Sequence, residues 1–362
     1  MKNILHTVVF GFAISLLGSL SQAADNCGTG CGCTCEPPEL WVLNSRCAPK
    51  CDCLDEGFEK ITYQRYDKDA CRFVTESRET FLAAQINIPT LLFSHGNTLE
   101  HDAAMKVCWQ VYERLKICPG PKMLVFWSWP SEIFYTRPLI RPIELARSNI
   151  KTKYVFAERQ GYYIAKLTNM MSTAQPLTLS GHSYGGVTVI CALHFLAGGS
   201  LDCLSFAEGR PEERKNLRGV IISGALDCDS LYPGYRYDKA LVAADGFYTT
   251  YNDTDSTLKR WPTHSFRGQE ALGYVGLCIP RLCENAHKVK QERLTEDVGK
   301  SHYIKPHLAS CQMVNSICQL AFETEACCCP GKSGKGSVMR GTQAVEQFID
   351  RPAATIFPGL GL

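Results

Sequence analysis

The chain has 362 residues, 45% of them hydrophobic, which is enough for one large domain with an appendage or for two ordinary domains. Its 38 basic and 36 acidic residues leave a formal charge of +2, so no field draws it toward nucleic acid or an anionic membrane, and a partner has to be argued from a site. Twenty cysteines would be a redox liability in the cytosol, so the composition points to an oxidising compartment and to disulfides.

Residues 1–23 have the pattern of a signal peptide: Lys2 at the basic end, an apolar run from Val8 to Leu20, and small Ser21 and Ala23 before the expected cleavage. No later apolar run is long enough to span a bilayer, so the mature protein is expected to be exported without an integral membrane span. Residues 24–57 read as a Cys-rich segment stapled by disulfides, with seven cysteines between Cys27 and Cys53 and little apolar periodicity. Thiolate zinc sites are the weaker reading there, because the spacings are CxC and CxxxC rather than paired CxxC.

A larger domain is expected over residues 58–325. Alternating strands ITYQRYD and CRFVTES lead to an apolar strand at Thr90 to Phe93 that closes in Ser94-His95-Gly96-Asn97. Thr98 to Ile117 has helical spacing, with Ala104, Val107, Val111 and Leu115 on one face. Lys122 to Phe126 is a further strand before Trp127-Ser128-Trp129-Pro130-Ser131. Glu144 to Met171 reads as a long surface helix. Strands at Leu177 to Ser180, Val220 to Ser223 and Phe247 to Tyr251 follow, then a helix from Pro306 to Phe322. Strands alternating with helices at this spacing predict an α/β fold with a mostly parallel central sheet and helices on both faces. Residues 326–362 read as a Cys-rich and Gly/Pro-rich tail, where GKSGKG has neither the spacing nor the preceding strand of a phosphate loop.

The chemistry concentrates at Gly181-His182-Ser183-Tyr184-Gly185. A strand before it and an apolar helix from Val187 to Leu196 after it make a sharp strand-turn-helix with Ser183 at the apex. Such a serine needs a histidine to take its proton and a carboxylate to orient that histidine, following in the order acid, then histidine. His302 stands on a small-residue loop before the last helix and is the expected base, with His307 second. Asp255, at the point where its loop turns into a helix anchored by Leu258, is the expected acid, with Asp253 and Asp227 as alternatives. Two backbone amides are expected to form the oxyanion hole, those of Tyr184 after the serine and Asn97 in the HG loop.

In GHSYGG the chain resembles α/β-hydrolases of the esterase and lipase type. More narrowly, it is similar to a group of bacterial α/β-hydrolases of unassigned substrate. SHGN, Trp129-Pro130-Ser131, GHSYG, Asp255 before Leu258 and the pair His302-Tyr303 carry that likeness, which runs from Phe81 to Phe322. The resemblance implies an α/β-hydrolase fold and a serine hydrolase triad and leaves the substrate open. The leading expectation is a secreted serine hydrolase acting on an ester, with no metal or organic cofactor. His95, Gly96 and Trp129 would touch a small-molecule or lipid ester substrate. The rival expectation is a Cys-rich envelope or binding protein that keeps the fold without turnover.

Overall fold

The structure, a computed structural model, describes residues 37–48, 54–133, 142–202, 204–206 and 216–325. The expected signal peptide, the cysteines from Cys27 to Cys35 and the tail from residue 326 lie outside them. Apolar, β-branched and aromatic runs form the strands β1 (Glu39–Asn44), β2 (Thr62–Asp67), β3 (Arg72–Glu76), β4 (Thr90–Ser94), β5 (Met123–Ser128), β6 (Leu177–His182), β7 (Leu217–Ile222), β8 (Gly246–Tyr251) and β9 (Val289–Arg293). They build one nine-stranded sheet in the order β9-β8-β7-β6-β4-β5-β1-β2-β3. Every pairing from β9 to β1 is parallel, while β2 and β3 add an antiparallel edge.

Parallel strands carry helices over both faces, so their side chains are buried on both sides. TLLFS of β4, MLVFWS of β5 and LTLSGH of β6 are buried at every position. Alternation along the strands then sorts two cores. Trp41, Leu43, Leu92, Val125, Leu179 and Ile221 face one of them, where α2 (Pro142–Met170) and α3 (Tyr184–Leu196) pack. Leu40, Val42, Leu91, Phe93, Phe126 and Val220 face the other, which is closed by α1 (His101–Leu115), α4 (Ile304–Ala309) and α5 (Cys311–Phe322). Among the described residues no helix is long and apolar enough to cross a membrane.

Three expectations are corrected. Residues 39–44 fall in the segment read as a Cys-rich appendage, yet β1 lies inside the sheet between β5 and β2. Its Trp41 is fully buried and meets Phe81 edge-on with ring centroids 5.3 Å apart, so the folded domain includes residues before Phe58. The long helix α2 is not merely a surface element. Tyr154, Ala157, Tyr163, Ile164 and Leu167 form a buried stripe against α3. The last helix is two helices, because Ser310 has extended backbone and its hydroxyl accepts from the amide of Met313 to start α5 afresh.

Ten of the twenty cysteines lie among the described residues. Cys118 and Cys318 form a disulfide that ties the end of α1 to α5 across 200 residues of sequence, and Cys311 is disulfide-bonded as well. Cys47, Cys71, Cys108, Cys191, Cys228, Cys278 and Cys283 are nevertheless free, so pairing is not the rule among the described residues. Cys108 and Cys191 are buried and pack as small apolar side chains, a role that oxidising surroundings do not forbid.

Candidate active site

The sequence at the end of β6 forces the geometry of Ser183. Strand and helix approach so closely there that a Cβ on Gly181 would lie 2.0 Å from the carbonyl oxygen of Gly185. One on Gly185 would lie 2.0 Å from that of Ser94. With glycine at both positions the chain turns within one residue, and the strain falls on Ser183, whose φ of 56° and ψ of −118° lie in a region that side chains rarely adopt. The turn is held by the Ser183 amide donating to the carbonyl of Ile222 on β7.

His302 reaches this serine from the loop after β9. Its Nε2 is 2.9 Å from Ser183 Oγ, and its Nδ1 is 2.7 Å from Asp255 Oδ2. The carboxylate requires the proton on Nδ1, which leaves Nε2 as the acceptor for the serine hydroxyl. Asp255 is fully buried, and its other oxygen accepts from the amides of Thr257 and Leu258 at 2.8 and 2.9 Å. Those two amides open the helical turn at Leu258–Thr263, and Leu258 is itself buried, so the carboxylate is aimed by the turn that follows it. Acid loop and base loop are stitched together: Asn252 Nδ2 and Thr254 Oγ1 donate to the carbonyl of Gly299, while the Ser256 amide donates to that of Lys300.

The alternative residues are occupied elsewhere. Asp253 points away, bonded to Arg293 and Thr295 in an exposed cluster. Asp227 accepts from the indole of Trp261 at 2.8 Å. His307 lies fully buried against Ser223.

A cavity of about 830 Å³ opens over Ser183, within the range of small-molecule sites. It lies at the carboxyl ends of β4 and β6, where the chain reverses the direction in which it adds strands, the usual place for a ligand in an open α/β sheet. Gly96, Asn97, Ser183, Tyr184 and His302 all line it. Gly96 leaves room for that approach, since a Cβ there would sit a tight 3.3 Å from both His182 Nδ1 and Ser183 Cβ. The amides of Asn97 and Tyr184 donate to no backbone acceptor among the described residues. Tyr184 stands at the first position of α3, where an amide has no partner within its own helix.

The expectation that His95 and Trp129 touch the substrate is not met, because neither lines the cavity. Both are fully buried, their rings stacked with centroids 5.6 Å apart. The Trp129 amide donates to His95 Nε2, and the indole donates to the His95 carbonyl. Burial pushes the pKa of His95 down to about 3, so it is a neutral brace for the loop that carries Gly96 and Asn97. Arg46, next to the unforeseen strand β1, bonds Ser128, Glu132 and the carbonyl of Leu99 and braces the same loop from below.

Two further contributors were not foreseen. His182 Nε2 lies 2.9 Å from the carbonyl oxygen of His302 and steadies the base loop. Burial, reinforced by His302 and His307 nearby, holds the pKa of His182 well below its ordinary value and so keeps it neutral. Tyr184, Tyr154 and Trp261 form an aromatic cluster beside the serine, with centroids 5.7 to 6.2 Å apart. Tyr232, Tyr235 and Tyr237, in the stretch after Cys228, do not line the cavity. The stretch packs on α2, where Arg236 and Tyr237 bond Glu158.

The protein is thus a mixed α/β fold with a mostly parallel sheet, an architecture compatible with that of α/β-hydrolases. Comparison with protein-family models and with curated proteins finds no match to this chain.

Proposed function

We propose that the chain is an exported serine hydrolase of the α/β-hydrolase class that cleaves a carboxylic ester. The observation that carries this reading is His302 bridging a strained, cavity-facing serine and a buried carboxylate at 2.9 and 2.7 Å. Ser183 Oγ attacks the ester carbonyl carbon while His302 Nε2 takes its proton, and Asp255 stabilises the resulting imidazolium. The carbonyl oxygen, now an oxyanion, accepts from the amides of Asn97 and Tyr184. Collapse breaks the bond to the alkoxy oxygen, which leaves as the alcohol with the proton from His302. Water then attacks the acyl-serine, giving its proton to the same nitrogen, and the acid departs as Ser183 regains its hydrogen. An amide or thioester would follow the same route, and no step calls for a metal or organic cofactor. Export is supported by the pattern of residues 1–23.

The test is hydrolysis of p-nitrophenyl esters of graded acyl length by the wild type and by Ser183→Ala. Saturable turnover that vanishes in the variant is expected. Turnover that survives the substitution, or a wild type inert toward every ester, would remove the reading.

A further inference from the structure

The walls of the cavity over Ser183 have an unbalanced charge. The whole chain carries 38 basic and 36 acidic residues, but among the described residues the cavity is lined by Lys106, Arg260 and Lys305 and by no aspartate or glutamate. The asymmetry is therefore local to the site. Asp255, the carboxylate behind it, is fully buried and turned toward His302. None of the three cations forms an ion pair among the described residues, and all three are exposed. Asp102 stands one turn before Lys106 on α1 and does not pair with it.

Two of the cations are carried by elements packed on each other. Lys106 is on α1 and Lys305 on α4, and Ala104 and Val111 share a core with Ile304 and Leu308. Arg114 further ties α1 to α4 by donating to the carbonyl of Leu308. Arg260 enters from a different element, the turn that also supplies Leu258 and Trp261. Like charges around one cleft with low-dielectric walls raise the local concentration of ligands of opposite sign. Between them the walls are apolar: Leu99, Val107, Ile150, Leu258, Trp261 and Ile304.

We infer that the preferred substrate of this site is an ester that bears a separate anionic group, a carboxylate or phosphate, on an apolar body. The inference rests on the hydrolase reading of Ser183. The apolar walls take the hydrocarbon, and Lys106, Arg260 and Lys305 attract the anion while the ester carbonyl meets the serine.

The test compares esters that differ only in a terminal carboxylate. Mono-p-nitrophenyl suberate against p-nitrophenyl octanoate places the charge on the acyl part, and ω-acetoxyoctanoate against octyl acetate places it on the alcohol part. In at least one pair the charged ester should have the higher kcat/KM by about tenfold or more at low salt. That ratio should shrink as salt is added, because exposed charges are screened. It should fall toward one in the double variant Lys106→Gln/Lys305→Gln, with circular dichroism verifying the fold. Competition by octanoate and by octyl phosphate then distinguishes the two anions. Equal or inverse ratios in both pairs, or a ratio that the double variant and salt leave untouched, would overturn the inference while leaving the hydrolase reading intact. If neither pair is hydrolysed, the hydrolase reading fails instead, and calorimetry decides the anion site separately. Monoethyl suberate should then bind Ser183→Ala more tightly than ethyl octanoate, and equal binding would overturn the inference.

Discussion

Two serines end adjacent parallel strands of this sheet, and both bond a histidine. Ser183 follows β6 and Ser223 follows β7, with φ of 56° and 46°. Ser183 Oγ lies 2.9 Å from His302 Nε2, and Ser223 Oγ lies 2.7 Å from His307 Nε2. The pairs part at the other ring nitrogen. His302 Nδ1 meets the carboxylate of Asp255, whereas His307 Nδ1 meets the carbonyl of Tyr303. A carbonyl fixes the tautomer, but it has no full charge with which to stabilise an imidazolium. Burial, with His302 acting in the same direction and the Tyr303 carbonyl and Asp255 opposing, pushes the pKa of His307 down to about 4. Ser223 is wholly buried, while Ser183 faces a cavity. A serine-histidine contact by itself is therefore a packing motif. A carboxylate and access to substrate are what separate a candidate nucleophile from it.

The comparison breaks most easily at the histidines. His302→Ala should lower kcat by something on the order of 10⁶, since loss of one member of such a triad costs nearly as much as loss of all. Steady-state kinetics on an activated ester reads this directly, and a loss of less than tenfold would transfer the base role elsewhere. Next comes the carboxylate. Asp255→Asn should cost on the order of 10⁴ in kcat by leaving the histidine in the wrong tautomer. Asp253→Asn removes an exposed contact to Arg293 worth at most about 1 kcal/mol, so its kcat should stay near the wild type. The reverse ranking would exchange the two acids.

The second pair should respond in stability rather than in rate. Ser223→Ala leaves the buried His307 Nε2 without its donor, at a cost of about 1–3 kcal/mol in urea unfolding. A catalytic loss beyond tenfold with unchanged stability would mean that this pair takes part in the chemistry. The same pair should also respond to pH. The unfolded state binds a proton at His307 near the ordinary value of 6.5, and the folded state does so only near 4, so unfolding takes up protons between those limits. Stability from this group is present above pH 6.5 and is lost as pH falls toward 4. Thermal midpoints should fall over that window, and His307→Gln should flatten part of the slope. A midpoint that rises on acidification would contradict the neutral, buried histidine.

Much of this arrangement is legible in the chain. The glycines around Ser183, the order of serine, acid and histidine, and the turn beginning at Leu258 all announce themselves by local pattern. The parallel sheet follows from apolar strands alternating with amphipathic helices. What stays hidden depends on partners distant in sequence. LWVL of β1 is too short and too closely flanked by cysteines to stand out, and only its pairing with β5 and β2 makes it a strand. His95 and Trp129 look like substrate contacts because they sit beside Gly96 and in the WPS motif, but their stacking on each other turns them inward. Lys106 and Lys305 read as ordinary solvent-facing helix residues, and only the packing of α1 on α4 brings both to one cavity.

The central claim is that Ser183, and not Ser223, is a nucleophile activated by His302 and Asp255. The direct measurement is intact-mass detection of covalent labelling by a fluorophosphonate in the wild type, Ser183→Ala and Ser223→Ala. The wild type and Ser223→Ala should each take up one adduct, and peptide mapping should place it on Ser183, while Ser183→Ala should take up none. An adduct that persists in Ser183→Ala, or a wild type that stays unlabelled, would contradict the account.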